Sequence, residues 1–338
     1  MKNLCYINLV AIKENALKIK SLLPSGVKFN AVVKADGYGH GMEMVASALH
    51  PIVDGFSVSI VEEGVALRNC GIDKEILTLI PPRDEDITRA LEYDISLAVD
   101  SLALLKTINS KGKKIKKVAL IHIKYDTGMN RLGVKTLSRL EEILTVSKGL
   151  KWIKIVGLFS HFADSQDKMA VKKATDKFLL AIRLVRMYNS KVTCHISASG
   201  GFLRGEYFDM VRIGLLLYGY KPFRSTKLRL AKAMKIYALT LSSFTIKKGE
   251  SALYGKKIAD RAETLSLIRY GYADGQERRE TEEIFNNRCM DVTAVRKRIK
   301  GKKYLLLNNA DRIAKTYNTI SYEILVKSAI RAEKIYIN

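Results

Sequence analysis

Lys34 stands directly behind an apolar run, in Val32-Val33-Lys34-Ala35-Asp36-Gly37. An ammonium at the end of a buried strand is desolvated, and desolvation lowers its pKa. The neutral amine that results is a nucleophile able to form a Schiff base with an aldehyde cofactor, for which pyridoxal phosphate is the obvious candidate. Taken alone, Lys34 reads more often as a lysine snorkelling out of a strand end. Its neighbours shift that balance. Lys34-Ala35-Asp36-Gly37-Tyr38-Gly39-His40-Gly41 brings three glycines, a phenol and an imidazole ahead of a helix, so backbone and hydroxyl can approach a phosphate closely. Other chemistry-bearing residues also follow short apolar runs: Lys124 and Arg131 after 118–123, His161 after 155–160, and Ser199 after 192–196, while Arg212 lies within 210–213.

The elements that must position these residues recur along the chain. Eight short runs rich in Val, Ile, Leu or Phe, at 29–33, 56–59, 76–80, 95–98, 118–123, 155–160, 192–196 and 210–213, read as buried parallel strands. Segments near helical spacing, such as 42–49, 61–68, 101–108, 137–146 and 167–187, lie between them. Eight βα units imply a closed (β/α)8 barrel. The doubly wound open sheet competes, but its Gly-x-Gly-x-x-Gly fingerprint is absent after the first strand. A barrel collects the C-terminal ends of its strands at one rim, so Lys34, Lys124, Arg131, His161, Ser199 and Arg212 are expected to converge there. After Tyr218-Gly219-Tyr220-Lys221-Pro222 helical periodicity largely stops. Alternating stretches at 235–246, 264–270, 291–295 and 304–307, broken by glycines, predict a β-rich domain over 223–338 beside a barrel over 1–222. The alternating stretch 4–9 is not needed to complete the eight and is free to pair with the C-terminal domain.

With 338 residues, 47% hydrophobic and 27% charged, the chain can bury a sizeable core, which excludes wholesale disorder. No apolar run approaches the roughly 18 residues of a membrane span, and the start lacks a signal-peptide pattern, so a cytoplasmic protein is expected. Four scattered cysteines without a Cys-x-x-Cys pair suit reduced thiols, and no metal is expected. The net charge of +24 includes the run Arg296-Lys297-Arg298-Ile299-Lys300-Gly301-Lys302-Lys303, which could grip phosphates of a nucleic acid. No aromatic residue interleaves it and no nucleic-acid-binding signature accompanies it, so a solvated cationic face is the better reading.

The ten residues from Val32 to Gly41 resemble the cofactor-attachment signature of the alanine racemase family, pyridoxal-phosphate enzymes built from a (β/α)8 barrel plus a β domain. Further motifs of that family recur in order: Lys124-Tyr125-Asp126-Thr127-Gly128-Met129-Asn130-Arg131-Leu132-Gly133, Gly157-Leu158-Phe159-Ser160-His161-Phe162, Met210-Val211-Arg212-Ile213-Gly214, Leu253-Tyr254-Gly255, Gly271-Tyr272-Ala273-Asp274-Gly275, Cys289-Met290-Asp291 and Thr319-Ile320-Ser321-Tyr322-Glu323. The resemblance covers nearly the whole chain.

The resemblance implies that Lys34 holds the cofactor and serves as one catalytic base, and that Tyr254 is the other, reaching across from the partner in a head-to-tail homodimer. Racemisation removes a proton on one face and delivers one on the other, which two opposed bases do better than one. Arg212 would face the pyridine nitrogen and leave it unprotonated, weakening the electron sink and suppressing decarboxylation and transamination. Arg131 would pair with the substrate carboxylate, and Lys124 sits where many members carry a carbamylated lysine that orients this arginine. His161 would stack near the ring and hydrogen-bond the tyrosine base, and His195 would support Arg212. Tyr38, Ser199, Tyr322 and the amides of Gly214 and Leu215 would hold the phosphate. Met290 would lie near the substrate carboxylate, with Arg278 in the entry channel.

This sequence departs from the family at Ala198, where Asn is common, in the stretch 289–295, which lacks a Gln and a later Asp, and at Arg331-Ala332-Glu333-Lys334, where Arg-Val-Pro-Arg is more usual. Every residue assigned to proton transfer is retained. The expected activity is interconversion of L- and D-alanine, feeding peptidoglycan synthesis. Tyr322 favours alanine, because its phenol crowds larger side chains where relatives acting on serine carry smaller residues. The rivals are a broader-specificity or serine racemase of the same fold, a non-enzymatic pyridoxal-phosphate carrier, a decarboxylase with the same barrel and a nucleic-acid binder.

Overall fold

The computed structural model describes residues 2–223 and 228–338; Met1 and residues 224–227, which begin the expected C-terminal domain, lie outside the described residues. Two compact units are present: Ile12–Gly37 with Met42–Leu230, and Met1–Ala11 with Tyr38–Gly41 and Ala231–Asn338. The division departs from the expected cut at 222/223, because the N-terminal segment and the short Tyr38–Gly41 stretch group with the C-terminal residues.

Apart from β1 (Leu4–Asn8), which belongs to the second unit, the strands come first as β2 (Lys28–Val32), β3 (Gly55–Val58), β4 (Glu75–Thr78), β5 (Leu97–Val99), β6 (Ala119–Lys124), β7 (Ile153–Phe159), β8 (Thr193–His195) and β9 (Met210–Ile213). They lie within one or two residues of the eight apolar runs. All pair in parallel, as two sheets in the orders β4-β3-β2-β9 and β5-β6-β7-β8. Two seams close the ring. Leu77 bridges Ser96 between β4 and β5, and between β8 and β9 the amides of Asp209 and Arg212 donate to the carbonyls of Cys194 at 3.0 Å and Ser197 at 2.9 Å. β3 and β9 are buried at every position, as strands covered on both faces must be.

Helices Met42–Leu49, Val61–Asn69, Asp84–Glu92, Leu102–Ile115, Leu137–Ser147 and Lys168–Tyr188 alternate with these strands. Local sequence explains several of their starts. The side chains of Ser101, Thr136 and Asp167 accept from the amides of Leu104, Arg139 and Met169, satisfying donors that a first helical turn leaves open.

In the second unit β10 (Met234–Ile246), β11 (Glu263–Ile268), β12 (Thr293–Val295), β13 (Lys303–Leu307) and β14 (Glu333–Ile337) join β1 in the order β12-β11-β10-β1-β14, with β13 also on β10. β1 runs antiparallel to β10, Cys5 opposite Ile236, and parallel to β14, Tyr6 opposite Ile335. The C-terminal residues are not purely β, as the expected loss of helical periodicity suggested. Helices Ala310–Tyr317 and Ser321–Ser328 are present, the first capped by Asn309 and burying Ala310, Ala314 and Tyr317 at helical spacing. Their brevity, eight residues each, hid that spacing among alternating strands.

Gly112, in the last turns of Leu102–Ile115, has no room for a side chain: a Cβ there would lie 2.6 Å from the Lys117 carbonyl oxygen and 3.0 Å from the Trp152 Cβ. Gly112→Val is expected to lower unfolding stability by about 1–3 kcal/mol through overpacking, read as a loss in denaturation midpoint at unchanged m-value. An unchanged midpoint would show that this helix end is not packed as described.

Candidate active site

β2 ends at Val32, and the chain then turns in an unusual way. Ala35, Asp36, Gly37 and Tyr38 all take left-handed conformations, with φ of 51°, 53°, 60° and 54°. Three of the four carry a Cβ, which costs on the order of 1–2 kcal/mol each. The turn is held from both sides. Glu63 accepts from the Ala35 amide at 2.7 Å and the Ser59 amide at 2.6 Å, and Asp36 accepts from the Met42 amide at 2.9 Å, starting the next helix. Lys34 is thereby fixed at the strand end. Burial lowers its amine pKa, and the charges of Arg131 and Arg212 lower it further against an opposing pull from Glu63.

Arg131 is carried by a loop built on one carboxylate. Asp126 Oδ1 accepts from the amides of Gly128, Met129 and Asn130 at 2.8, 2.9 and 3.2 Å, while its other oxygen pairs with Lys135. The loop returns to the end of β6 through Val134 N to Lys124 O at 2.8 Å and Asp126 N to Val134 O at 2.9 Å. Lys124 itself is buried. Its Nζ donates to the Leu79 carbonyl at 2.7 Å, and burial, followed by Arg131 and Arg212, pulls it down to about 8. An appreciable fraction is therefore a neutral amine near neutral pH.

Arg212, 2% exposed, has five N–H donors. Nη1 donates to His195 Nδ1 and to the His195 carbonyl at 3.1 Å; Nη2 donates to the carbonyls of Ser160 at 2.6 Å and Ile196 at 3.3 Å. Four donors have protein acceptors, and none of these bonds uses Nε. Burial lowers this guanidinium to about 9, so it remains charged at neutral pH. His161 follows β7. Burial, then Arg212, Arg131, Lys34 and Lys124, pull it down to about 3, which keeps its imidazole neutral. Ser199 is buried, and its Oγ accepts at 3.4 Å from the amides of both Gly214 and Leu216. The amide of Leu215, which the sequence pairs with that of Gly214, lies between these two donors in the chain.

In the second unit Tyr38 and Tyr322 face each other with ring centroids 5.9 Å apart. Burial raises both phenols, Tyr322 to about 12, and proximity to Tyr322 adds to the rise at Tyr38. Both remain hydroxyl donors. Tyr254 is 65% exposed on a loop clamped by a buried amide that sequence reasoning did not single out. Asn286 Nδ2 donates to Ser251 Oγ at 3.1 Å and to the carbonyls of Ala252 at 2.8 Å and Lys257 at 3.2 Å, and its Oδ1 accepts from the Lys257 amide at 3.0 Å. Met290 is exposed and its carbonyl accepts from the Ala273 amide at 3.0 Å.

Two further groups escaped the sequence: His122, inside β6, which contacts His195, and Glu75, which contacts His122. Inward-facing polar residues in the middle or at the start of barrel strands carry no local signal that separates them from solvated ones. Among the described residues no cluster has the spacing of a metal site, and no helix is long and apolar enough to cross a membrane.

A closed parallel barrel that sets a desolvated amine, two guanidinium groups and paired backbone amides at its strand ends defines a protein of the (β/α)8 class. Family models described as "Alanine racemase, N-terminal domain" and "Alanine racemase, C-terminal domain" match residues 7–222 and 233–336. The chain belongs to the alanine racemase family. It is 33% identical to the alanine racemase of Clostridium novyi, over 98% of this chain and 94% of that one, and 31% identical to alanine racemase 1 of Bacillus subtilis, over 98% and 92%. The structure of alanine racemase from Clostridium difficile superposes with a TM-score of 0.92 at 30% identity, covering 100% of this chain and 96% of that one. That of the Bacillus anthracis alanine racemase with bound L-Ala-P gives 0.93 at 26% identity, covering 100% and 95%.

The neutral His161 has a consequence for acid stability. Because its folded pKa, about 3, lies below the ordinary value of roughly 6.5, its contribution is complete above that value and is lost as pH falls through the folded pKa. His161→Gln, which has nothing to protonate, is expected to show a shallower loss of stability between about pH 6.5 and 3 than the parent. Parallel slopes in denaturation titrations would show that His161 titrates normally.

Proposed function

We propose that the protein is a cytoplasmic, homodimeric pyridoxal-phosphate-dependent racemase that interconverts L- and D-alanine with two opposed proton carriers, Lys34 and the partner subunit's Tyr254, and that its D product supplies peptidoglycan. The observation that carries this reading is the fifth donor of buried Arg212. Its other four donors are held by His195, Ser160 and Ile196, and Nε–H suits a neutral ring-nitrogen acceptor. The donor set fits the rest of the cofactor. The Ser199 hydroxyl and the amides of Gly214 and Leu215 suit a phosphate, as do the un-ionised phenols of Tyr38 and Tyr322, and a lowered amine at Lys34 suits an aldehyde.

When bound, pyridoxal phosphate acidifies the α-hydrogen of an attached amino acid by delocalising the electron pair left behind. The chain's residues do the remaining work. Lys34 Nζ would hold the cofactor through its aldehyde and would take or return a proton on one face of the substrate. The phenolic oxygen of the partner subunit's Tyr254 does the same on the other. Arg131 would orient the substrate carboxylate through its planar fork, with the backbone amide of the partner subunit's Met290 nearby. Arg212 Nε–H would donate to the ring nitrogen and leave it without a proton of its own, a weaker electron sink that would disfavour loss of carbon dioxide. Neutral His161 hydrogen-bonds the tyrosine base without adding charge. The neutral amine of Lys124 would add to carbon dioxide and release a proton to solvent, and the resulting carbamate would offset the cationic rim and align Arg131.

In deuterated water with L-alanine, the expected outcome is D-alanine carrying α-deuterium, followed by chiral chromatography and NMR. Tyr254→Phe is expected to slow this by about 100-fold or more, the scale of a lost proton carrier. Lys34→Ala should abolish absorption near ~420 nm from the conjugated imine. No D-enantiomer from the parent, or a silent Tyr254→Phe, defeats the proposal. A ¹³C-carbamate signal that appears with labelled bicarbonate and vanishes in Lys124→Ala checks the carbamate; its absence from the parent rules it out.

A further inference from the structure

Arg212 can only donate, and this imposes a direction on everything behind it. Its Nη1 meets His195 Nδ1, so that nitrogen must be an acceptor and the proton of neutral His195 sits on Nε2. His195 Nε2 lies 3.0 Å from His122 Nδ1. Since Nε2 donates, His122 Nδ1 accepts and carries no hydrogen. The hydrogen of His122 is then on Nε2, 2.9 Å from Glu75 Oε1, where a carboxylate completes the chain. Each link leaves one tautomer. Protonating His122 on Nδ1 would set two N–H groups against each other across that 3.0 Å contact, or drive the His195 proton onto the nitrogen facing Arg212.

The chain is built into the barrel. His122 and His195 are 1% and 0% exposed, with ring centroids 5.2 Å apart, and His195 stacks on Phe159 at an interplanar angle of 5°. Gly157 makes the room, since a Cβ there would lie 1.9 Å from His122 Nδ1. Glu75 opens β4, at the opposite end of the strands from the catalytic rim, with its side chain one-third exposed. Burial would raise its pKa, but the His122 hydrogen bond, followed by Ser96 Oγ at 3.2 Å and nearby Lys28, works against it and holds the carboxyl below the usual range, so it stays an acceptor. Burial, then the charge of Arg212, holds His195 well below the usual imidazole value, in agreement with a neutral ring.

We propose that Glu75 and His122 are positioning residues for Arg212, acting through a one-directional hydrogen-bond chain from the foot of β4 that selects the His195 tautomer and so aims the arginine's fifth donor. The proposal rests on the reading of Arg212 as the ring-nitrogen donor.

The test uses the pyridoxal-phosphate-loaded protein labelled with ¹⁵N-histidine. Two-dimensional NMR at neutral pH is expected to place the proton of both His122 and His195 on Nε2, with both Nδ1 atoms bare; a proton on either Nδ1 overturns the chain. Glu75→Gln keeps an acceptor oxygen for His122 and should leave kcat within about twofold. Glu75→Ala removes it and is expected to lower kcat about tenfold at nearly unchanged KM, the scale of a lost orienting partner, with mixed His122 tautomers in the spectrum. Equal effects of the two variants, or loss of thermal stability alone in Glu75→Ala, overturn the positioning role. The two readings fail separately: a parent chain with the expected tautomers but no D-alanine defeats the racemase assignment, whereas an active racemase with His195 protonated on Nδ1 defeats only the chain.

Discussion

A guanidinium buried in a parallel barrel must find acceptors for nearly all of its donors, and the arrangement around Arg212 follows from that demand. Strand ends supply it with carbonyls, those of Ser160, His195 and Ile196, each just where β7 or β8 gives out; the His195 oxygen also accepts from the Ser160 amide at 3.1 Å. A neutral imidazole supplies the fourth acceptor. Leaving a buried charged group unsatisfied costs several kcal/mol, so these contacts are a condition of folding as much as of catalysis. The same charge then governs its surroundings. Together with burial it lowers the proton affinity of Lys34, Lys124 and His161, which turns two lysines toward the neutral amine and keeps one histidine uncharged. Burial comes first at each of the three, and Arg131 acts beside Arg212 on all of them.

The loops that aim the reactive groups are held by small polar side chains rather than by apolar packing. Asp126 gathers three successive amides beneath Arg131, Asn286 spans the loop of Tyr254 with four hydrogen bonds, and Glu63 with Asp36 secures the left-handed turn after Lys34. Hydrogen bonds suit this task because they are directional, whereas apolar contacts tolerate sliding. The left-handed turn stores backbone strain beside the Lys34 amine, a placement common where geometry is part of the chemistry.

The second unit is organised around its long strand β10, which pairs with β1, β11 and β13. β1 also pairs with β14, so residues from both ends of the described chain share one sheet. That parallel pairing joins segments more than 300 residues apart, and no local pattern in either strand names its neighbour. Tyr322 enters from a helix rather than a strand, with its phenol beside Tyr38.

By itself the sequence determined the eight apolar runs, the helices between them, and the residues that follow each run. Strand periodicity and side-chain chemistry are local properties, and Lys34, Arg131, His161, Ser199 and Arg212 sit within or just beyond those runs. The ordered motifs carried the family as well. Only the tertiary structure decided which buried polar groups meet. His122 and Glu75 lie on different strands, 47 residues apart, and each alone looks like an ordinary strand residue. Their contact, and the tautomers it imposes, exist because closing a sheet into a ring brings side chains from β4, β6, β8 and β9 into one interior, where the absence of water makes each donor answer to a particular acceptor.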